Sequence, residues 1–289
     1  MEFNAKKCKE DLVEWIKAIV GESTVVIGIS GGTDSSVVAA LCVEALGKEK
    51  VFGVLMPDGE QKDIDKSLEL CDHLDIDYTC INIGPVTSAL RNSFGISNDK
   101  PNTKGSQFRY HLMAYTQASR FPIMPLKYND VYETNTPARI RMTTLYGVAA
   151  ILGNSRVVNT CNLSEDWVGY STKFGDSAGD FSPLAHITKT EVKQLGYELG
   201  LPKDLIEKVP SDGMSGMSDE EKLGFTYDEL DTYIRTGIIE NLEHKEKIDR
   251  MYYANRHKID PMPKFLETGI ESYKEKKPKP VVCTIYNMK

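Results

Sequence analysis

Several classes of protein are excluded by what this 289-residue chain lacks. Its six cysteines (Cys8, Cys42, Cys71, Cys80, Cys161 and Cys283) are scattered, with no Cys-x-x-Cys pair. That argues against a thiolate zinc site, an iron–sulfur cluster and a disulfide framework. Cys42 and Cys80 lie inside apolar patterns and are expected to be core thiols. No apolar run approaches membrane-spanning length, so no membrane partner is expected. The start, Met1-Glu2-Phe3-Asn4-Ala5-Lys6, has none of the apolar character of a secretory signal, and the expected compartment is cytoplasmic. Excess positive charge is missing too. Lysine and arginine number 35 against 42 aspartates and glutamates, a net −7, and no nucleic-acid partner is expected. Two common phosphate-binding signatures are also absent. There is no Gly-Lys-Ser/Thr ending for a Walker A loop, and Gly28, Gly31 and Gly32 are wrongly spaced for Gly-x-Gly-x-x-Gly.

What the chain does contain centres on Val25-Val26-Ile27-Gly28-Ile29-Ser30-Gly31-Gly32-Thr33-Asp34-Ser35-Ser36. A β-branched run meets two glycines and then the apolar stretch Val37–Cys42, which reads as a buried helix. Strand, glycine turn and helix start form an anion-binding layout. The glycines let backbone approach a phosphate, and the first helical N–H groups have no partner within the helix. Asp34 adds a carboxylate able to hold a divalent cation carried by phosphates. A bare turn would favour small residues equally, but nothing in it calls for Asp34.

The rest of the chain alternates strands and helices. Residues 3–20 set Phe3, Leu12, Ile16, Ile19 and Val20 on one helical face. Strands are expected at 24–29, 51–56, 78–83 and 157–160, with helices after the glycine loop and at 62–74. Thr136 with Pro137 reads as the start of a helix to Leu152, and Thr188 caps one to Leu199. Further helices are expected at 204–208, 227–234 and 239–253. Residues 91–136 read as a long irregular excursion, while 161–181 and 211–221 read as polar, glycine-containing site loops. This is an α/β pattern: a doubly wound, mostly parallel sheet, Rossmann-like, with helices on both faces and a ligand off the carboxyl ends of its strands. One domain spans 1–289, with an N-terminal helix (1–21), a core (22–260) and a basic, proline-containing tail (261–289).

The string Ser-Gly-Gly-x-Asp-Ser resembles the pyrophosphate loop of the ATP pyrophosphatases that release AMP. Later strings narrow the resemblance. They are Ala138-Arg139-Ile140-Arg141-Met142, Thr160 with Glu165, Gly169-Tyr170-Ser171-Thr172-Lys173-Phe174-Gly175-Asp176, Asp180, Thr188-Lys189, Lys208-Val209-Pro210-Ser211, Tyr227-Asp228-Glu229-Leu230-Asp231 and His257-Lys258. In order and at these spacings, over roughly residues 24–258, they resemble ammonia-dependent NAD synthetase, with the fold of the adenine nucleotide α-hydrolases.

That resemblance implies amidation of deamido-NAD by ammonia through an acyl adenylate, consuming ATP and Mg²⁺. It implies ATP contacts from Gly28, Ile29, Ser30, Gly31, Gly32, Thr33, Asp34, Ser35, Gln61, Arg141, Thr160, Lys189 and Ser211. Asp34 and Glu165 resemble the metal ligands, and with Asp176 and Lys189 they form the catalytic set. Arg139, Lys173, Asp176, Asp180, His257 and Lys258 resemble the deamido-NAD contacts, with Asp176 also placed to deprotonate ammonium. A homodimer using helices near Arg139 is implied. So is ammonia arriving free or from a partner, since a glutamine-hydrolysing domain would not fit in this length.

The chain departs from the family pattern at Leu55-Met56-Pro57, where an arginine is common before the proline, and at Met217, where glutamine is common. No residue of 108–132 is carried over, though Phe121 and Tyr128 could stack on a ring. Two readings compete with the synthetase. A tRNA-modifying ATP pyrophosphatase would favour a basic surface and paired cysteines. A non-catalytic nucleotide-binding module would not need Glu165 and Lys189 beside Asp34.

Overall fold

The computed structural model describes residues 3–60, 64–94, 130–208 and 218–262. Gln61 and Ser211, the ring-stacking candidates in 108–132, Met217 and nearly all of the 261–289 tail lie outside them. Four strands, β1 (Thr24–Gly28), β2 (Val51–Leu55), β3 (Asp77–Cys80) and β4 (Ser155–Val157), form one parallel sheet in the order β3-β2-β1-β4. The sheet is buried on both sides because β1 alternates its side chains. Val25 and Ile27 join a core with helices α1 (Ala5–Val20), α2 (Thr33–Leu46) and α3 (Ile64–Leu74), whereas Val26 joins a second core with α5 (Asp130–Leu152). That period of two is what a doubly covered sheet requires.

Helix α1 folds as its apolar spacing dictates. Cys8, Leu12, Val13, Ile16 and Val20 are buried, Asn4 Oδ1 accepts from the Lys7 N–H at 3.0 Å, and Gly21 stops the helix. Ile19 falls off this face and is exposed.

The differences from expectation have physical causes. The expected strand at 78–83 pairs only over 77–80; beyond it, single bonds such as Ile81 N–H to Leu55 O lead into α4 (Gly84–Ser93), a helix opened by Pro85. Cys80 is exposed, not a core thiol, because β3 is the sheet edge. Helix α5 begins at Asp130, so Pro137 lies inside it and Thr136 is not its cap. The extra turns are held from outside: Glu133 pairs with Arg91 of α4, and Tyr132 meets Phe94 edge-on at 5.7 Å. Strand β4 ends early because the polar segment after it folds back. Asp180 N–H donates to Val157 O at 2.7 Å, and Asn159 N–H to Phe181 O at 2.9 Å.

The C-terminal half adds short helices, α6 (Leu163–Val168), α7 (Lys189–Glu198), α8 (Lys203–Ile206), α9 (Asp219–Leu223) and α10 (Tyr227–Thr236), followed by α11 (Leu242–Ile259). Val168, Leu223, Phe225, Tyr227, Leu230 and Ile248 form their own apolar cluster. Central β1 has β2 on one side and β4 on the other, so the loops after β1 and β4 diverge. Such a divergence opens the crevice in which doubly wound sheets bind ligands.

Candidate active site

The glycine loop leaves β1 at this crevice. Gly31 sits at φ +68°, and a Cβ there would lie 2.9 Å from Lys66 Cβ and from Ser67 N, so both conformation and space exclude a side chain. Hydroxyls hold the loop shape. Ser30 Oγ accepts from Gly32 N–H at 3.3 Å and lies 3.0 Å from Ser35 Oγ, while Ser35 and Ser36 donate to Gly32 O at 3.1 and 2.8 Å. Lys208 Nζ donates to Gly31 O at 3.3 Å.

Two of the expected phosphate contacts point elsewhere. The Thr33 hydroxyl is buried and donates to Leu205 O and Ile206 O, at 3.2 and 3.1 Å, leaving backbone as its means of reaching a ligand. Ile29 is buried, with its N–H spent on Val54 O. Gly28 packs near Met56 and Leu145.

Asp34, at the start of α2, meets residues that are distant in sequence. Its Oδ1 accepts from Asn162 Nδ2 at 2.8 Å, and its Oδ2 is paired with Lys189 Nζ. Lys189 Nζ also donates to Glu165 Oε1 at 3.3 Å. Lys189 opens α7; Glu165 is held in the first turn of α6 by a capping box with Asn162. One Asn162 side chain therefore caps α6 and orients Asp34. The Lys189 side chain is 4% exposed and those of Asp34 and Glu165 16%. Desolvation, then the Asp34 charge, raises the Glu165 pKa. Burial alone would lower that of Lys189, but the two carboxylates outweigh it and hold the ammonium above the ordinary lysine range.

Sequence reasoning missed the frame behind this cluster. Asp231, buried on α10, accepts from the Thr190 N–H at 2.7 Å and from the Ser164 hydroxyl; Ser164 Oγ in turn accepts from the Lys189 N–H at 2.9 Å. Asp231 thus ties together the starts of α6 and α7, which carry Glu165 and Lys189. Tyr227 places its ring centroid 5.4 Å from Lys189 Nζ, and Asp219 accepts from the Tyr170 hydroxyl at 3.1 Å. Asp219 stands in the first turn of its helix, a place where an acidic residue can be picked out in sequence, but Asp231 lies mid-helix and carries no such mark.

A second group lies where α5 and the end of α11 meet the segment after α6. Arg139 Nε donates to Lys173 O at 3.2 Å, Lys173 Nζ donates to His257 O, and Lys258 Nζ donates to Gly169 O at 2.7 Å. Gly169, at φ +65°, has Asn255 so close that an added Cβ would fall 2.1 Å from Asn255 Cβ. Asp176 Oδ1 accepts from the Thr172 N–H at 2.7 Å, and desolvation raises its pKa although the residue is open to solvent. Asp180 is largely committed within the protein, accepting from Val157 N–H at 2.7 Å and from the Tyr146 hydroxyl at 3.1 Å. It nevertheless lines, with Asn159, Asp166, Ser177 and Lys258, a cavity of about 210 Å³. Arg141 reaches the end of β2, with Nε donating to Met56 O at 3.1 Å, and Thr160 is half-buried just past β4.

The donor chemistry fits a hard divalent cation. Two carboxylates converge on one ammonium, and a cation is what occupies the space between them. The arrangement can bind a polyphosphate at the glycine loop, neutralise it with a cation at Asp34 and Glu165, and hold a second ligand towards Arg139 and Lys258.

Comparison with known proteins points the same way. The family profile described as NAD synthase matches residues 8–268. The curated NH(3)-dependent NAD(+) synthetase of Pyrococcus furiosus is 37% identical over 230 residues, covering 79% of this chain and 77% of the relative. Among solved structures, an NMN synthetase from Francisella tularensis superposes with a TM-score of 0.73 at 30% identity, covering 91% of this chain and all (100%) of the other. An NH3-dependent NAD synthetase from Campylobacter jejuni, also 30% identical, gives 0.64 over 92% of this chain and 100% of its own.

Proposed function

The chain belongs to the NAD synthase family, and from that premise we propose how its residues carry out the ATP-driven amidation of deamido-NAD by ammonia. A carboxylate is a poor acyl donor, so one of its oxygens first attacks the α-phosphorus of ATP. The Pα–O–Pβ bond breaks, pyrophosphate leaves, and an acyl adenylate forms. Ammonia then adds to the acyl carbon, loses a proton, and expels AMP with the C–O bond.

The loop Ser30–Ser35 binds the departing pyrophosphate through backbone N–H groups and hydroxyls. Asp34 and Glu165 would hold Mg²⁺, which would supply charge neutralisation at the phosphates. Lys189 adds a second positive charge, and Arg141, Thr160, Gln61 and Ser211 complete the ATP side. Arg139, Lys173, Asp180, His257 and Lys258 orient deamido-NAD. Asp176 takes the proton released from ammonium. Family membership decides against the tRNA-modifying alternative.

The observation that carries the reading is the convergence of Asp34 and Glu165 on one buried cation beside the glycine loop. The test is incubation with ATP, Mg²⁺, ammonium and deamido-NAD, following AMP and NAD. Asp34→Asn is expected to lose about 10²-fold or more in turnover, because it removes a charge at the reacting phosphates, and to unfold at a lower denaturant concentration while still folding, because the buried Lys189 keeps only Glu165 as its charged partner. Unchanged activity would overturn the metal role. The likeness to a solved NMN synthetase favours a second acceptor, nicotinate mononucleotide; a higher kcat/KM for it than for deamido-NAD would reassign the substrate.

A homodimer across α4 and α5 is supported by the exposed Val86, Leu90, Phe94 and Val131, and sedimentation tests it. We read residues 1–289 as one synthetase domain. No helix among the described residues is long and apolar enough to cross a membrane. A reaction that consumes ATP supports a cytoplasmic location.

A further inference from the structure

In the ligand-free protein, a divalent cation between Asp34 and Glu165 would meet the Lys189 ammonium there, setting three positive charges against two negative ones. Lys189 must give way, yet its backbone is fixed by Ser164 and by the start of α7, so only its side chain can move. It is buried, and a buried ammonium needs a new counter-charge nearby. Two groups supply one. The Tyr227 ring already lies under the ammonium at 5.4 Å, and its hydroxyl is buried without a hydrogen-bond partner among the described residues. Asp219 is buried, holds the Tyr170 hydroxyl, and lies within electrostatic range of Lys189 and Tyr227.

We infer that the Lys189 ammonium is a resident placeholder for the divalent cation, and that Tyr227 and Asp219 form the seat it moves to when the metal enters. Tyr227 and Asp219 are then positioning residues. They act on the metal pair through Lys189, and the Tyr227 hydroxyl gains its missing partner only in the displaced state. The seat lies beside the pair, so the moved ammonium still faces the triphosphate. This inference rests on reading Asp34 and Glu165 as the metal ligands.

The test is binding of Mn²⁺ alone to the full-length, ligand-free protein, followed by the paramagnetic resonance of free Mn²⁺. Lys189→Met removes the competitor and is expected to bind Mn²⁺ at least about tenfold tighter than the unsubstituted protein. Asp219→Asn is expected to weaken Mn²⁺ binding several-fold in the native background and to have no effect on top of Lys189→Met. A purely structural role for Asp219 would weaken both backgrounds equally and overturn the inference. So would Lys189→Met with unchanged or weaker affinity, or no binding to either protein. Asp34→Asn separates the two readings. If it abolishes binding while the Lys189 results fail, the metal pair stands and the placeholder falls; if it leaves Mn²⁺ affinity unchanged, the metal pair falls. A structure of the unsubstituted protein with Mn²⁺ needs no variant to fold: Lys189 Nζ against Asp219 and Tyr227 supports the inference, and Lys189 Nζ still between the carboxylates overturns it.

Discussion

Replacing Asp231 tests whether the site is held by its second layer. Its carboxylate is buried and accepts from the Thr190 N–H at 2.7 Å and from the Ser164 hydroxyl. Asp231→Ala leaves the buried Ser164 hydroxyl and the half-buried Thr190 N–H without their acceptor. Hydrogen bonds to a charged group are each worth about 1.5–3 kcal/mol, so the gross loss is roughly 3–6 kcal/mol. Part returns, because a buried carboxylate no longer has to be desolvated; burial already raises the Asp231 pKa. The expected net loss for alanine is about 2–4 kcal/mol.

Asp231→Asn separates the two bonds. Its amide oxygen can still accept from Thr190. Its NH₂ cannot accept the Ser164 proton; at most it donates to the lone pair of Ser164 Oγ that the Lys189 N–H leaves open, so the hydroxyl loses its acceptor. One bond is lost, and about 1–2 kcal/mol is expected. Urea unfolding with linear extrapolation measures both variants. The folded asparagine variant is also expected to turn over about 10–100-fold more slowly, in the range of lost outer-layer contacts at metal sites. An alanine variant within about 1 kcal/mol of the native protein, or an asparagine variant as unstable as the alanine one, would refute the reasoning.

Asn162→Ala removes a helix cap and an Asp34 contact together, so about 1 kcal/mol of stability should go along with a raised Mg²⁺ requirement, read from melts and Mg²⁺ titrations of activity. Asp166 titrates at about 6, raised by desolvation and by Asp176 against its usual 3.8. Between those values the folded protein keeps a proton that the unfolded chain has released, so stability falls as pH rises through that window. Asp166→Asn should therefore unfold later at pH 7.5, by roughly 1–2 kcal/mol, and lose the advantage near pH 3.5; a variant less stable at pH 7.5 would count against the desolvation account. Gly169→Ala forces a side chain into Asn255 at a left-handed position and should displace the end of α11. KM for deamido-NAD is expected to rise more than KM for ATP, and equal rises would show that α11 does not serve the dinucleotide side.

Much of the fold was legible because β1 is a short β-branched run, β2 a short apolar one, and α1 and α7 carry their caps in sequence. What was not legible depended on contacts between distant segments. Nothing local near Asp130 announces a helix start; Arg91 and Phe94 make it one. Cys80 reads as apolar pattern, and only the strand order reveals an edge. At the site, the glycine loop, Asp34, Glu165 and Lys189 were visible through their strings. Asp231 and Tyr227 stood in those strings without roles, because a buried aspartate that fastens two helix starts looks in sequence like any helical aspartate. Thr33 shows the reverse: a hydroxyl in a phosphate-loop string that bonds inward to α8.

The helix starts that converge on Asp34 also bear on when the site comes into being. During synthesis the glycine loop emerges early, while Glu165, Lys189 and the Asp231 that fastens them emerge long after it. A chain still on the ribosome with only the first three strands outside has a phosphate-binding turn but neither the second carboxylate nor the lysine. The order in which the polypeptide is made thus separates the turn from the two side chains that meet Asp34 in the finished fold by more than a hundred residues of synthesis.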